Sequence, residues 1–134
     1  MAVTFHRAFD MTNDPFAALE TLVELGIERV LTSGQEASAL EGLPLITELN
    51  RQAGDRIIVM PGGAIAPHNV ARIVRESGVR ELHFAAREAI ESKMAFRRAH
   101  VFMGGELRTQ EFERHVTSVA RLRATMDAAL HEVK

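Results

Sequence analysis

Apolar positions along this chain alternate between short runs and helical stripes from one end to the other. Val3–Ala8, Arg29–Thr32, Arg56–Met60 and Glu81–Ala85 read as four strands. Between them, Phe16, Leu19, Leu22 and Val23 recur at helical spacing behind Asp14-Pro15, a capping carboxylate followed by a first-turn proline. Leu45, Ile46 and Leu49 mark a second helix over Leu43–Ala53, and Pro67 opens a third that buries Val70, Ile73 and Val74. After a longer connection containing Gly104-Gly105, a last helix is expected over Gln110–Glu132. Its stripe would be Phe112, Val116, Val119, Leu122, Met126 and Leu130. Gly26, Gly54 and Gly78 each stand between a helix and the strand after it, where a left-handed residue commonly ends the helix.

The predicted order is therefore strand-helix repeated four times, and the strands are apolar rather than alternating. That pattern predicts an α/β domain over residues 1–134 with parallel strands covered by helices. Four such units make either a small open sheet or half of an eight-fold (β/α)8 TIM barrel, whose full length is about 250 residues. Alone, they leave two edge strands unpaired, which predicts self-association.

Charge and composition narrow the partners. The 134 residues carry a formal net charge of -2, so no general attraction to nucleic acid or to an anionic membrane is expected. No apolar run is long enough to span a bilayer, and the opening residues lack the pattern of a secretory leader. There is no cysteine, which excludes disulfides and thiolate metal sites. A cytoplasmic location is expected.

In parallel α/β folds, chemistry collects where strands end and helices begin. Those places read FHRAFD, LTSGQ, MPGGAIAPHN and HFAAR. In the first, strand alternation turns Thr4 and His6 toward the interior and sets Arg7 and Asp10 at the mouth. Arg7–Asp10 reads as a structural ion pair beside a core histidine. It reads equally as a site in which Arg7 holds an anionic group and His6 moves a proton. Thr32, Ser33, Gly34 and Gln35 offer hydroxyls, an amide and backbone N–H groups, either to a ligand or to their own turn. The polar stretch 34–42 would form a partly mobile flap over them. Gly62 and Gly63, ahead of a helix start, leave a bare backbone that an anion can approach, with Arg87 on the next loop. His83 alternates inward with Ala85 and faces the same interior as His6.

VTFHRAFDM, GIERVLTSGQ, ALEGLPLI, RIIVMPGGAI and the segment through LHFAAR resemble the CutC family, over about residues 2–87. The resemblance implies the C-terminal half, strands five to eight, of a cytoplasmic TIM barrel linked to copper homeostasis. It implies copper(I) as a ligand in some members, and it places His6, Arg7, Asp10, Ser33, Gly34, Gln35, Gly62 and Gly63 at the barrel mouth. The cysteines proposed as copper ligands in some members belong to the other half, so that ligand set does not carry over to this chain. Guanidinium, hydroxyl and glycine amide groups suit a small anion better than a soft cation. Three functions stay open: a copper-homeostasis protein that needs no cofactor, an enzyme acting on a small phosphorylated or carboxylated substrate, and a non-catalytic fragment. The last would pair with itself or with a separate N-terminal half.

Overall fold

A computed structural model of the chain describes residues 1–104 and 111–131. The structure is α/β. Strands β1 (Thr4–Phe5), β2 (Arg29–Thr32) and β3 (Ile58–Pro61) form a parallel sheet in that order. Helices α1 (Pro15–Glu24), α2 (Leu43–Ala53) and α3 (Val70–Ser77) connect and cover them. An antiparallel pair, β4 (Arg87–Glu91) with β5 (Glu113–Thr117), and helix α4 (Val119–Leu130) complete the described chain.

The register explains which face is filled. Phe5 pairs with Val30, and Val30 with Val59, so these side chains share the face turned to the helices. Val30 and Val59 are buried there against Leu19, Leu43, Ile46, Leu49, Val70 and Ile73. Each fully buried Leu, Ile or Val contributes about 1.5–3 kcal/mol to folding. The opposite face carries Thr4, Arg29, Leu31, Ile58 and Met60, none of them buried. Asp14 caps α1 by accepting from the N–H groups of Phe16 and Ala17, and Gly78 ends α3 at φ 67°, as the sequence pattern predicts.

Four expectations need correction. First, β1 is two residues long, not six. His6 leaves the strand to cap a 3-10 turn over Arg7–Met11, its Nδ1 accepting the Ala8 N–H at 3.0 Å. Second, Glu81–Ala85 does not form a strand. It meets the sheet at one parallel bridge, His83 opposite Gly62, and the His83 N–H donates to the Pro61 carbonyl. Beyond it the chain turns at Ala85, whose carbonyl accepts from the Arg87 N–H, and leaves for the hairpin.

Third, α3 begins at Val70 rather than Pro67, after a turn in which the Asn69 side chain accepts from the Ala66 N–H and donates to the Ala64 carbonyl. Fourth, residues 113–117 belong to β5, paired with 87–91, and the last helix starts only after Ser118. Its side chain accepts the Arg121 N–H. The expected ends of that helix, Gln110 and Glu132, lie outside the described residues. Its stripe is also rotated: Thr125 is buried and Ala128 and Ala129 pack on the core, while Val119, Leu122, Met126 and Leu130 are exposed.

Candidate functional site

The carboxyl ends of β1 and β2 are tied together by one carboxylate. Asp10, with its side chain only 7% exposed, is carried there by the 3-10 turn. Its oxygens accept from Arg7 Nε at 2.7 Å, Thr32 Oγ1 at 2.5 Å, the Ser33 N–H at 3.0 Å and the Gln35 N–H at 3.3 Å. Gly34 and Gln35 both have positive φ, 71° and 59°, and in this turn the Ser33 and Gln35 N–H groups point to Asp10 while the Gly34 N–H donates to Thr32 Oγ1. Such a concavity binds anions. Here the anion is the chain's own carboxylate.

Burial pushes the Asp10 carboxyl upward, but hydrogen bonds from Thr32, Arg7 and Ser33 favour the ionised form and win. Its pKa lies below the ordinary aspartate value.

The same contacts fix Arg7. Nε is held by Asp10, and Nη2 donates to Ser33 Oγ at 2.5 Å and to the Glu36 carbonyl at 3.3 Å. The Ser33 hydroxyl lies 2.9 Å from Asp10 Oδ2 and 2.6 Å from the Glu36 carbonyl, so its one proton serves one of them at a time. Arg7 Nη1 has no acceptor among the described residues. It lies 3.5 Å from where a Cβ on Gly63 would stand. Gly63, at φ 112°, supplies a bare wall beside that nitrogen, while the Arg7 side chain is 44% exposed.

Arg7, Asp10, Thr32, Ser33, Gln35 and Gly63 are thus brought together. His6 joins them by neighbourhood only; its Nδ1 is used by Ala8, and no bond links it to Arg7 or Asp10. The Gly62 N–H is spent on the Thr32 carbonyl within the sheet, so it is not free for a ligand. Gly62-Gly63 also stands well before α3, with a turn between. His83 is exposed on the uncovered face beside Gly62, and Arg87 opens β4, its carbonyl accepting from Arg121.

Stretch 34–42 is pinned rather than flap-like. Ala39 donates its N–H to the Gly63 carbonyl at 3.0 Å, Ser33 holds Glu36, and the backbones of Gly34 and Gly42 touch. Sequence reasoning passed over Gly42, Ala39 and the Thr12 side chain and carbonyl, which receive Gln35 Nε2. The signal for Gly42 was present: two glycines bracket the polar stretch. A cavity of about 510 Å³ lies instead at the opening ends of the strands, near Asn50, Ile57, Gly78 and Glu81.

A parallel βα sheet with its polar cluster at the carboxyl strand ends defines an α/β protein of the barrel or doubly wound kind. The sequence profile of the CutC family matches residues 1–88, and the chain belongs to that family. It is 53% identical over 133 residues to the mouse copper homeostasis protein cutC homolog, covering 99% of this chain and 48% of that protein. It is 55% identical over 123 residues to the human homolog, covering 92% of this chain and 45% of that one. A crystal structure named for the copper homeostasis protein CutC of Streptococcus agalactiae superposes with a TM-score of 0.58 at 32% identity. That match covers 62% of this chain and 41% of the other. The chain spans about half the length of the curated relatives it matches.

The strand-end cluster does not fit copper(I), which selects thiolates and thioethers. It offers guanidinium, carboxylate and hydroxyl groups, and the chain has no cysteine. Among the described residues no group of three or more His, Asp or Glu is placed to hold a metal ion. No described helix is long and apolar enough to cross a membrane.

Proposed function

We propose that this chain is a cytoplasmic CutC-family protein that serves copper homeostasis by recognising a small anion at its strand-end mouth, without itself coordinating copper there. The copper role is taken from the names of the relatives. The anion is a phosphate or carboxylate group, and Arg7 is the residue that receives it.

One observation carries this reading. Three hydrogen bonds hold the Arg7 guanidinium by Nε and Nη2, and leave Nη1 without an acceptor among the described residues, beside the bare backbone of Gly63. A guanidinium fixed along two nitrogens and open along the third has its orientation settled before any ligand arrives. Asp10 offsets part of its charge, so the site suits a small ligand bound with modest affinity.

The same reading takes the chain as strands five to eight of a (β/α)8 barrel. The parallel order of β1 to β3 and the likeness to the Streptococcus agalactiae structure support it. A second copy, or a separate N-terminal half, would then pair with the open sheet edges.

A turnover reaction on a phosphorylated or carboxylated substrate is the second reading, favoured by His6. With Nδ1 committed to the Ala8 N–H, its Nε2 is the nitrogen left for proton transfer.

Calorimetric titration with inorganic phosphate tests the binding claim. Saturable binding that Arg7→Ala abolishes and Gly63→Ala weakens is the expected result. No saturation, or equal binding by Arg7→Ala, would overturn it.

A further inference from the structure

Helix α4 turns its apolar stripe outward. Val119, Leu122, Met126 and Leu130 lie at spacings of three, four and four, and they are 59%, 36%, 48% and 61% exposed. Thr125, Ala128 and Ala129 face the core instead, so the stripe is not an extension of the interior. Along one flank of it stand Arg123 and Asp127, both exposed. They are four apart, yet they form no ion pair with each other. Arginine N-terminal to the acid is the weaker order for an intrahelical pair. Among the described residues neither has another partner.

We infer that this face of α4 is a self-association surface, on which a second copy of the chain lays its own α4 antiparallel. The charges select that partner and that direction. A two-fold axis crossing the helix near Thr125 sets Arg123 of each copy against Asp127 of the other. It also lets Leu122 and Met126 of the two helices interleave. A parallel pair would set the two charged flanks on opposite sides of the seam, where neither Arg123 meets an Asp127. The stripe, from Val119 to Leu130, is about 16 Å long at the rise of an α-helix. One helix pair of that length buries less than a standard interface, so the dimer is weak and concentration-dependent.

This pairing is distinct from any completion of the sheet, because it leaves β1 and the His83 bridge untouched. Sedimentation velocity on the whole chain from about 5 μM to about 500 μM, a range that brackets a weak dimer, is the test. The expected result is a monomer–dimer equilibrium that Arg123→Asp and Asp127→Arg each weaken roughly tenfold or more. An equimolar mixture of the two variants should associate like the original chain, since both cross-pairs are then restored. Met126→Glu should give a monomer with an unchanged melting temperature. A monomer throughout, or a dimer that ignores both charge variants, would overturn the inference; the second outcome would point to the sheet edges.

Discussion

Arg7 and Asp10 sit three residues apart on one 3-10 turn, with the guanidinium Nε 2.7 Å from the carboxylate Oδ2. The contact differs from an ordinary surface ion pair in where its second partner goes. Asp10 reaches on into the loop after β2 and takes up the N–H groups of Ser33 and Gln35. One short turn therefore joins the ends of two neighbouring strands.

Replacing Asp10 by asparagine keeps the shape and removes the charge. It also puts an NH2 group among donors. Asp10→Asn should destabilise the fold by about 2–4 kcal/mol, the usual result of breaking a buried charge-assisted network. Urea unfolding followed by circular dichroism measures it. A change within the error of the extrapolation would show that the loop holds its form without the carboxylate.

The pH dependence follows from the same group. The folded-state pKa of Asp10 is lowered, so its stabilisation is fully present above the unfolded aspartate value and is lost as pH falls through the folded one. Melting temperatures of the original chain and Asp10→Asn should differ by a constant amount above about pH 5, and should converge below about pH 4. A gap that stayed constant down to pH 2 would contradict the assignment.

Gly34 offers a steric test. At φ 71° a side chain is already strained, and a Cβ there would run into the Gly42 carbonyl. Gly34→Ala should cost about 3 kcal/mol or more, because backbone strain and overlap add. Gly26→Ala, at φ 69° with open space around it, isolates the strain alone and should cost only about 1 kcal/mol. Parallel denaturation curves of the two variants separate the effects.

A surface cluster gives a spectroscopic check. Glu20 accepts from Arg56 Nη1 and Nη2 and from Gln52 Nε2, and hydrogen bonds from Arg56 and then Gln52 bring its pKa down to about 2. Carboxyl NMR titration should find it still ionised at pH 3, and Arg56→Ala should return it toward the ordinary glutamate range. The pair is solvent-exposed, so added salt should also raise it.

Local chemistry is legible in the sequence. Arg29–Thr32 and Leu43–Ala53 occupy the positions their apolar spacing predicts, because one face of each is buried over its whole length. Arg7 and Asp10 were paired from adjacency alone. What could not be read was pairing at a distance. The hairpin sets Ala89 against His115 and Ile90 against Arg114, in segments whose charged residues give no clean alternation and which a long connection separates. The sequence pattern therefore reads Glu113–Thr117 as part of the helical stripe that follows it. The 3-10 turn at Arg7 is hidden for a related reason: Val3–Ala8 alternates like a strand, whereas in the fold the chain leaves the sheet at His6 for a turn whose Asp10 meets the N–H groups of the loop after β2.

The loop at residues 33–35 already holds an anion, the Asp10 carboxylate, tethered by a short chain and so present at an effective concentration of about millimolar or higher. A free anion has to compete with that tethered carboxylate for the Ser33 and Gln35 N–H groups. The tether thus works as a built-in competitor for the loop N–H groups, and on the proposed reading it leaves the outer edge of Arg7 as the place for an incoming ligand.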